Sequence, residues 1–151
     1  MTITAYCDGS CPVPHAEGGW AFAIIQEPEE NTILGSGGVV VATNNTMELQ
    51  AGLECMRALI AHGLHNQVCI IWSDSQYVVN GMQTYRHLWK DDGWRDIKNP
   101  ELWKEMHETA NEFRRVRFNW LKGHAGHYWN ERVDAMAGAA MKQIRRRKRT
   151  V

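Results

Sequence analysis

The sequence predicts an α/β fold: a mixed five-stranded sheet, three antiparallel strands followed by two parallel ones, with helices packed on it. Three observations lead there. Period-two alternation and short turn-rich connections run up to Ala42. The apolar period then switches to helical spacing. Beyond that switch each strand pattern is reached through a helix, as strands parallel to a neighbour require.

Taken in order, Ile3, Ala5 and Cys7 alternate against Thr4, Tyr6 and Asp8 in a first strand,. Pro and Gly mark a turn over 12–19, a second strand follows over 20–25, and a hairpin connection over 27–31 leads to a glycine-weakened third strand over 33–42,. From Thr46, Leu49, Leu53, Met56 and Ile60 keep helical spacing, with Thr43, Asn44 and Asn45 as candidate N-caps and Gly63 as the stop,. The apolar run 68–72, ending in S73-D-S75, reads as a buried parallel strand,. Short helical pieces over 77–81 and 85–89 and a loop over 90–99 precede a helix from Pro100 to about Arg114,. A last strand over 116–121 and a helix from Asn130 to about Gln143 complete the series.

At 151 residues the chain is one domain,. The expected division is a domain over 1–143 and a basic, disordered tail over 144–151. No apolar run reaches the ~20 residues of a membrane helix, and the polar start lacks the features of a signal peptide. The expectation is a cytoplasmic monomer away from membranes, with Cys7, Cys11, Cys55 and Cys69 as free thiols,. The neutral net charge conceals an asymmetry: residues 1–85 carry eight acids against one base, Arg57, and residues 86–151 sixteen bases against nine acids. Concentrated carboxylates beside a basic surface suit metal-dependent chemistry on a polyanion. Uneven solvated charge is the plainer reading.

The acids fall at telling positions. Asp8 and Asp74 end the first and fourth strands, where ligands of parallel sheets gather,. Glu48 and Asp134 sit on helices beside apolar positions, close to packed faces. Acids near buried faces are costly unless paired or metal-bound, and no base adjoins these four in sequence. Hard oxygen ligands suit Mg²⁺ or Mn²⁺. Each acid alone also reads as a turn residue or an N-terminal helix charge.

D8-G-S-C11, T43-N-N-T-M-E-L49, S73-D-S-Q-Y77 and K122-G-H-A-G-H127 with N130-E-R-V-D134 together resemble the type 1 ribonucleases H. The motifs are collinear with that family over nearly the whole chain. The resemblance implies a ribonuclease H-like fold, with 1–143 as the catalytic domain. It implies endonucleolytic hydrolysis of the RNA strand of RNA–DNA hybrids, leaving 5′-phosphate and 3′-hydroxyl ends. Asp8, Glu48, Asp74 and Asp134 would bind two Mg²⁺, with Mn²⁺ a possible substitute, about 4 Å apart across the scissile phosphate. His124 would handle protons or product release. Gly9, Ser10, Cys11, Asn44, Asn45 and Gln76 would line the minor groove, where 2′-hydroxyls mark RNA. Thr43 would meet a DNA phosphate, and Tyr85, Trp89 and Trp94 would offer a surface to sugars. Helix capping is the competing reading for Thr43, Asn44 and Asn45, and core anchoring for Trp89 and Trp94.

The chain departs from the pattern in two places. P12-V-P-H-A-E17 replaces a Gly-Asn-Pro-Gly turn, and the loop over 90–99 is short and charge-balanced where many relatives are lysine-rich. The basic run R145-R-R-K-R149 is expected to compensate by attracting phosphates, with solvated disorder or a localisation-like signal as competing readings. The alternative function is a non-catalytic hybrid-binding module on the same fold.

Overall fold

Alternation along β1 (Thr2–Ser10) buries Ile3, Ala5 and Cys7 in the main core and sets Tyr6 against a second apolar cluster on the other face. This strand is the middle of a five-stranded sheet ordered β3-β2-β1-β4-β5. On one side β1 pairs antiparallel with β2 (Gly18–Ile25), which pairs antiparallel with β3 (Ile33–Val39). On the other it pairs parallel with β4 (Val68–Ser73), and β4 pairs parallel with β5 (Arg115–Trp120). The expected three antiparallel and two parallel strands are all present. This computed structural model describes residues 1–150, and Val151 and the side chain of Thr150 lie outside the described residues.

Two layers of helix cover the sheet. α1 (Asn44–Ala61) packs on β1 and β2, and α4 (Pro100–Ala110) packs against α1. Leu49, Leu53 and Met56 of α1 are fully buried as the helical spacing predicts, while Leu59 takes the fourth core position and the expected Ile60 is half-buried beside it,. α5 (Tyr128–Thr150) crosses the opposite face over β1, β2 and β3, with Val133 and Ala137 buried against Ala21 and Ala23. α2 (Gln76–Asn80), a π-helical turn (Gly81–Tyr85) and α3 (Arg86–Asp91) form one uninterrupted helical run rather than two separate pieces.

Trp103 anchors that run. It is buried and meets Tyr77 and Trp89 edge-on, at 5.3 and 4.9 Å between ring centroids. Its indole N–H donates to the Tyr77 hydroxyl at 2.9 Å, so the ring is buried without an unsatisfied donor,. Trp94 packs edge-on to His107 at 5.5 Å. Both Trp89 and Trp94 are half-buried against the main core, which favours the anchoring reading for them.

Most boundaries shift by one or two residues from the sequence expectation, and three larger differences have a visible cause. β3 stops at Val39 because Ala42 turns away to exchange backbone hydrogen bonds with the 12–17 turn: His15 N–H donates to Ala42 O, and Ala42 N–H to Ala16 O. α4 ends at Ala110, beyond which Arg114 N–H donates to His65 O and leads into β5. The largest difference is at the C-terminus. Here α5 runs on to Thr150, where composition predicts an end near Gln143 and a disordered tail. The reason is a long-range contact. Glu17 is 8 % exposed and accepts from Arg145 Nε at 2.5 Å and Lys148 Nζ at 3.0 Å, and Lys148 also donates to Val40 O.

Candidate active site

The parallel register of β1 and β4 builds the first half of the site. Tyr6 lies opposite Trp72, and two residues farther along the two strands stand Asp8 and Asp74, side by side at the sheet's carboxyl edge. Asp74 is fixed by its neighbours: Trp120 Nε1 donates to its backbone carbonyl at 3.1 Å, and Ser75 caps α2 by accepting from Val78 N–H.

α1 brings the third acid. Thr43 is its N-cap, with Thr46 completing a reciprocal capping box,. The helix start can press onto β1 because Gly9 has no side chain: a Cβ there would lie 2.3 Å from the Met47 carbonyl carbon. Glu48 therefore arrives beside Asp8, and the Gly9 amide donates to both Asp8 Oδ1 and Glu48 Oε1. α5 supplies the fourth acid from the other face, where half-buried Asp134, next to the buried Val133, lines the same cavity as Asp8.

One cavity of about 260 Å³ is lined by all four acids together with Gly9, Ser10, Cys11, Pro12, Asn44 and His124. A ligand oxygen from each of Asp8, Glu48 and Asp74 lies within 4.8 Å of the others, a spacing that can hold a metal ion. His124 rides an exposed loop in a left-handed conformation, φ 54°. That loop rests directly on the acids, since a Cβ on Gly123 would stand 2.7 Å from Asp74 Oδ2.

Burial first, and then the facing Glu48 charge, push the Asp8 carboxyl far above the usual carboxylate range,. Burial raises Glu48 too, opposed by hydrogen bonds from Asp8 and Gly9. Without a cation the two carboxylates resist ionising together,. Among the described residues no lysine or arginine forms an ion pair with any of the four acids. Such a set is costly to keep ionised, and an oxygen-only donor set is what a hard divalent cation requires. The residues fit Mg²⁺ or Mn²⁺. No thiol competes, as Cys7 is in the core and the buried Cys11 thiol donates to Val13 O at 3.2 Å.

The other expected contacts lie outside this cavity. Asn45, Gln76 and Tyr85 are exposed, and Thr43 lines a neighbouring groove with His15 and Val41. Tyr85 stacks on Trp89 at 5.7 Å, leaving one face of a two-ring surface open to solvent. Trp120 is the residue that sequence reading misses. Its signal is faint, an indole ending a strand opposite an acid-ending strand, and it becomes legible only once β4 and β5 are known to pair.

Residues 1–142 match the RNase H family model. The chain is 35% identical over 154 residues to a ribonuclease H of Chromohalobacter salexigens, covering 97% of this chain and 88% of that one. It is 37% identical over 149 residues to a ribonuclease HI of Neisseria meningitidis, covering 95% and 98%. Among solved structures it superposes on LC9-RNase H1, described as a type 1 RNase H with the type 2 active-site motif. The TM-score is 0.82 at 28% identity, over 94% of this chain and 72% of that one. LC11-RNase H1, solved in complex with an RNA/DNA hybrid, superposes with a TM-score of 0.73 at 22% identity, over 93% and 97%.

Proposed function

The chain belongs to the ribonuclease H family of enzymes, and from that premise we propose that it cuts the RNA strand of RNA–DNA hybrids endonucleolytically with two divalent ions, leaving 5′-phosphate and 3′-hydroxyl ends. One observation carries the reading: buried carboxylate oxygens of Asp8, Glu48 and Asp74 converge within 4.8 Å, beside Asp134, without a cationic partner. Bound Mg²⁺ or Mn²⁺ would supply Lewis acidity at the scissile phosphate and lower the pKa of the attacking water.

The chain's own residues do the rest. Asp8, Glu48, Asp74 and Asp134 present oxygens to the cations, and the Gly9 amide orients two of those acids at once. His124, exposed on its glycine-flanked loop, carries a proton to or from the reacting oxygens,. Gly9, Ser10 and Asn44 meet the hybrid at the cavity rim, and Cys11 forms a buried wall behind them. Asn45 and Gln76 extend that contact along the groove, Thr43 meets the DNA strand, and Tyr85 with Trp89 takes a sugar on its open face. No described helix is long and apolar enough to cross a membrane, and a monomer in the cytoplasm suits this activity.

The test is direct. With Mg²⁺, cleavage confined to the RNA strand of a hybrid, sparing DNA and RNA duplexes, is expected. Binding without cutting would favour a non-catalytic module instead.

A further inference from the structure

The C-terminal helix sorts its basic residues by face. Arg145 and Lys148 are spent on Glu17. Lys142 and Arg146 instead line an open cleft of about 610 Å³, together with Ser10, Asp134 and Gly138. Ser10 and Asp134 also line the carboxylate cavity, so the two spaces adjoin. Asp134, Gly138, Lys142 and Arg146 follow one another at steps of four residues, each rising about 6 Å along the helix. Lys142 and Arg146 thus stand roughly 12 and 18 Å from the catalytic-end acid. Neither forms an ion pair among the described residues. Gly138 leaves the middle of the cleft clear: a Cβ there would meet nothing within 4 Å.

We propose that this cleft receives the sugar–phosphate backbone of the strand being cut, a few nucleotides beyond the scissile phosphate, with Lys142 and Arg146 as its phosphate contacts. The inference rests on the hybrid-nuclease reading above and deepens it. Charge complementarity favours this occupant, as two cations without acid partners face a cleft whose other end is the carboxylate site. Adjacency favours it too, because a strand held at the four acids and leaving past Ser10 meets the cleft next. The cleft has no aromatic ring on which a base can stack, so the contact is to phosphates and independent of sequence.

The experiment compares the wild type with K142Q/R146Q and the charge-keeping K142R/R146K. Affinity is measured against salt, using hybrids whose RNA strand extends one or at least five nucleotides beyond the cleavage point, on each side in turn. On the longer extension of one side, the glutamine variant should lose affinity and show a log–log salt slope shallower by about 2. The charge-keeping variant should match the wild type, and the one-nucleotide hybrid should bind all three alike. Gly138→Glu, which sets a carboxylate in the open cleft, should reproduce the length-dependent loss. Equal slopes, or a loss independent of extension on both sides, would overturn the proposal. A wild type that cuts no hybrid removes the underlying reading and this one with it; a wild type that cuts while the variants bind long hybrids normally removes the cleft alone.

Discussion

Arg145 of α5 donates its Nε proton to Glu17 at 2.5 Å, joining the last turns of that helix to the turn that follows Asp8 and β1. Lys148 adds a second bond to the same carboxylate at 3.0 Å. Together they hold as a helix a segment whose composition alone reads as disordered, and they place its other face along the cleft beside Asp134.

This strap has a pH signature. The Arg145 hydrogen bond, reinforced by Lys148, holds Glu17 down to about 2, below its ordinary 4.5. A depressed acid contributes stability that is present above the unfolded pKa and lost as pH falls through the folded one. Glu17→Gln should therefore lower the melting temperature above pH 5, and the difference from wild type should close between about pH 4.5 and 2. A difference that does not change with pH would show that the charge of Glu17 is immaterial.

The acid cluster predicts the opposite slope. The folded-state pKa of Asp8 lies above its ordinary 3.8, so above about pH 4 the metal-free folded protein holds more protons than the unfolded chain, and its stability falls as pH rises. Asp8→Asn should stabilise the metal-free protein by on the order of 1 kcal/mol or more at neutral pH, one pKa unit being about 1.4 kcal/mol. That advantage should grow with pH in urea titrations and vanish near pH 4. Cleavage should fall by more than about 100-fold, the upper end of what losing even an outer-sphere partner of a metal costs. An Asp8→Asn protein of full activity would rule out the assigned site.

His124 should separate chemistry from binding. Its loop rests on Asp74 through Gly123, yet its side chain is exposed and anchors nothing in the core. His124→Ala should reduce kcat by about 100-fold, within the range of general acid–base contributions, with hybrid affinity and melting temperature unchanged. A matching loss of affinity would mark it as a substrate contact instead.

Gly138 should be replaceable with profit to stability. It sits inside α5 with open space where a Cβ would be, and glycine in a helix interior costs about 0.5–1 kcal/mol relative to alanine. Gly138→Ala should raise the unfolding free energy read from urea titrations by that margin. A fall would reveal that the helix bends or packs more closely there than the open space implies.

The elements most legible in sequence are those that local physics controls. The alternation of Ile3, Ala5 and Cys7, the helical spacing from Leu49 to Met56 and the cap at Thr43 all depend on neighbours within a few residues, and all are where periodicity predicts. Among the three cap candidates, only the structure shows that Thr43 is the cap and that Asn44 and Asn45 begin the helix. Trp89 of α3 and Trp94 of the loop that follows stay ambiguous in sequence because helical spacing looks the same on a core face and a binding face. Contact with Trp103 and His107 distinguishes the two.

The order of the main elements, two acids at strand ends and two on helix faces and, through the collinear motifs, the family are all written in the chain's local patterns. Tertiary structure alone decided that β1 lies beside β4 so that Asp8 faces Asp74, that Gly9 admits Glu48, and that Glu17 captures Arg145 and Lys148 and sends Lys142 and Arg146 the other way. The division follows from range. Periodicity and capping are written in successive residues, whereas carboxylates spread from residue 8 to residue 134 share one cavity only because burial of two apolar faces drives distant segments onto one sheet.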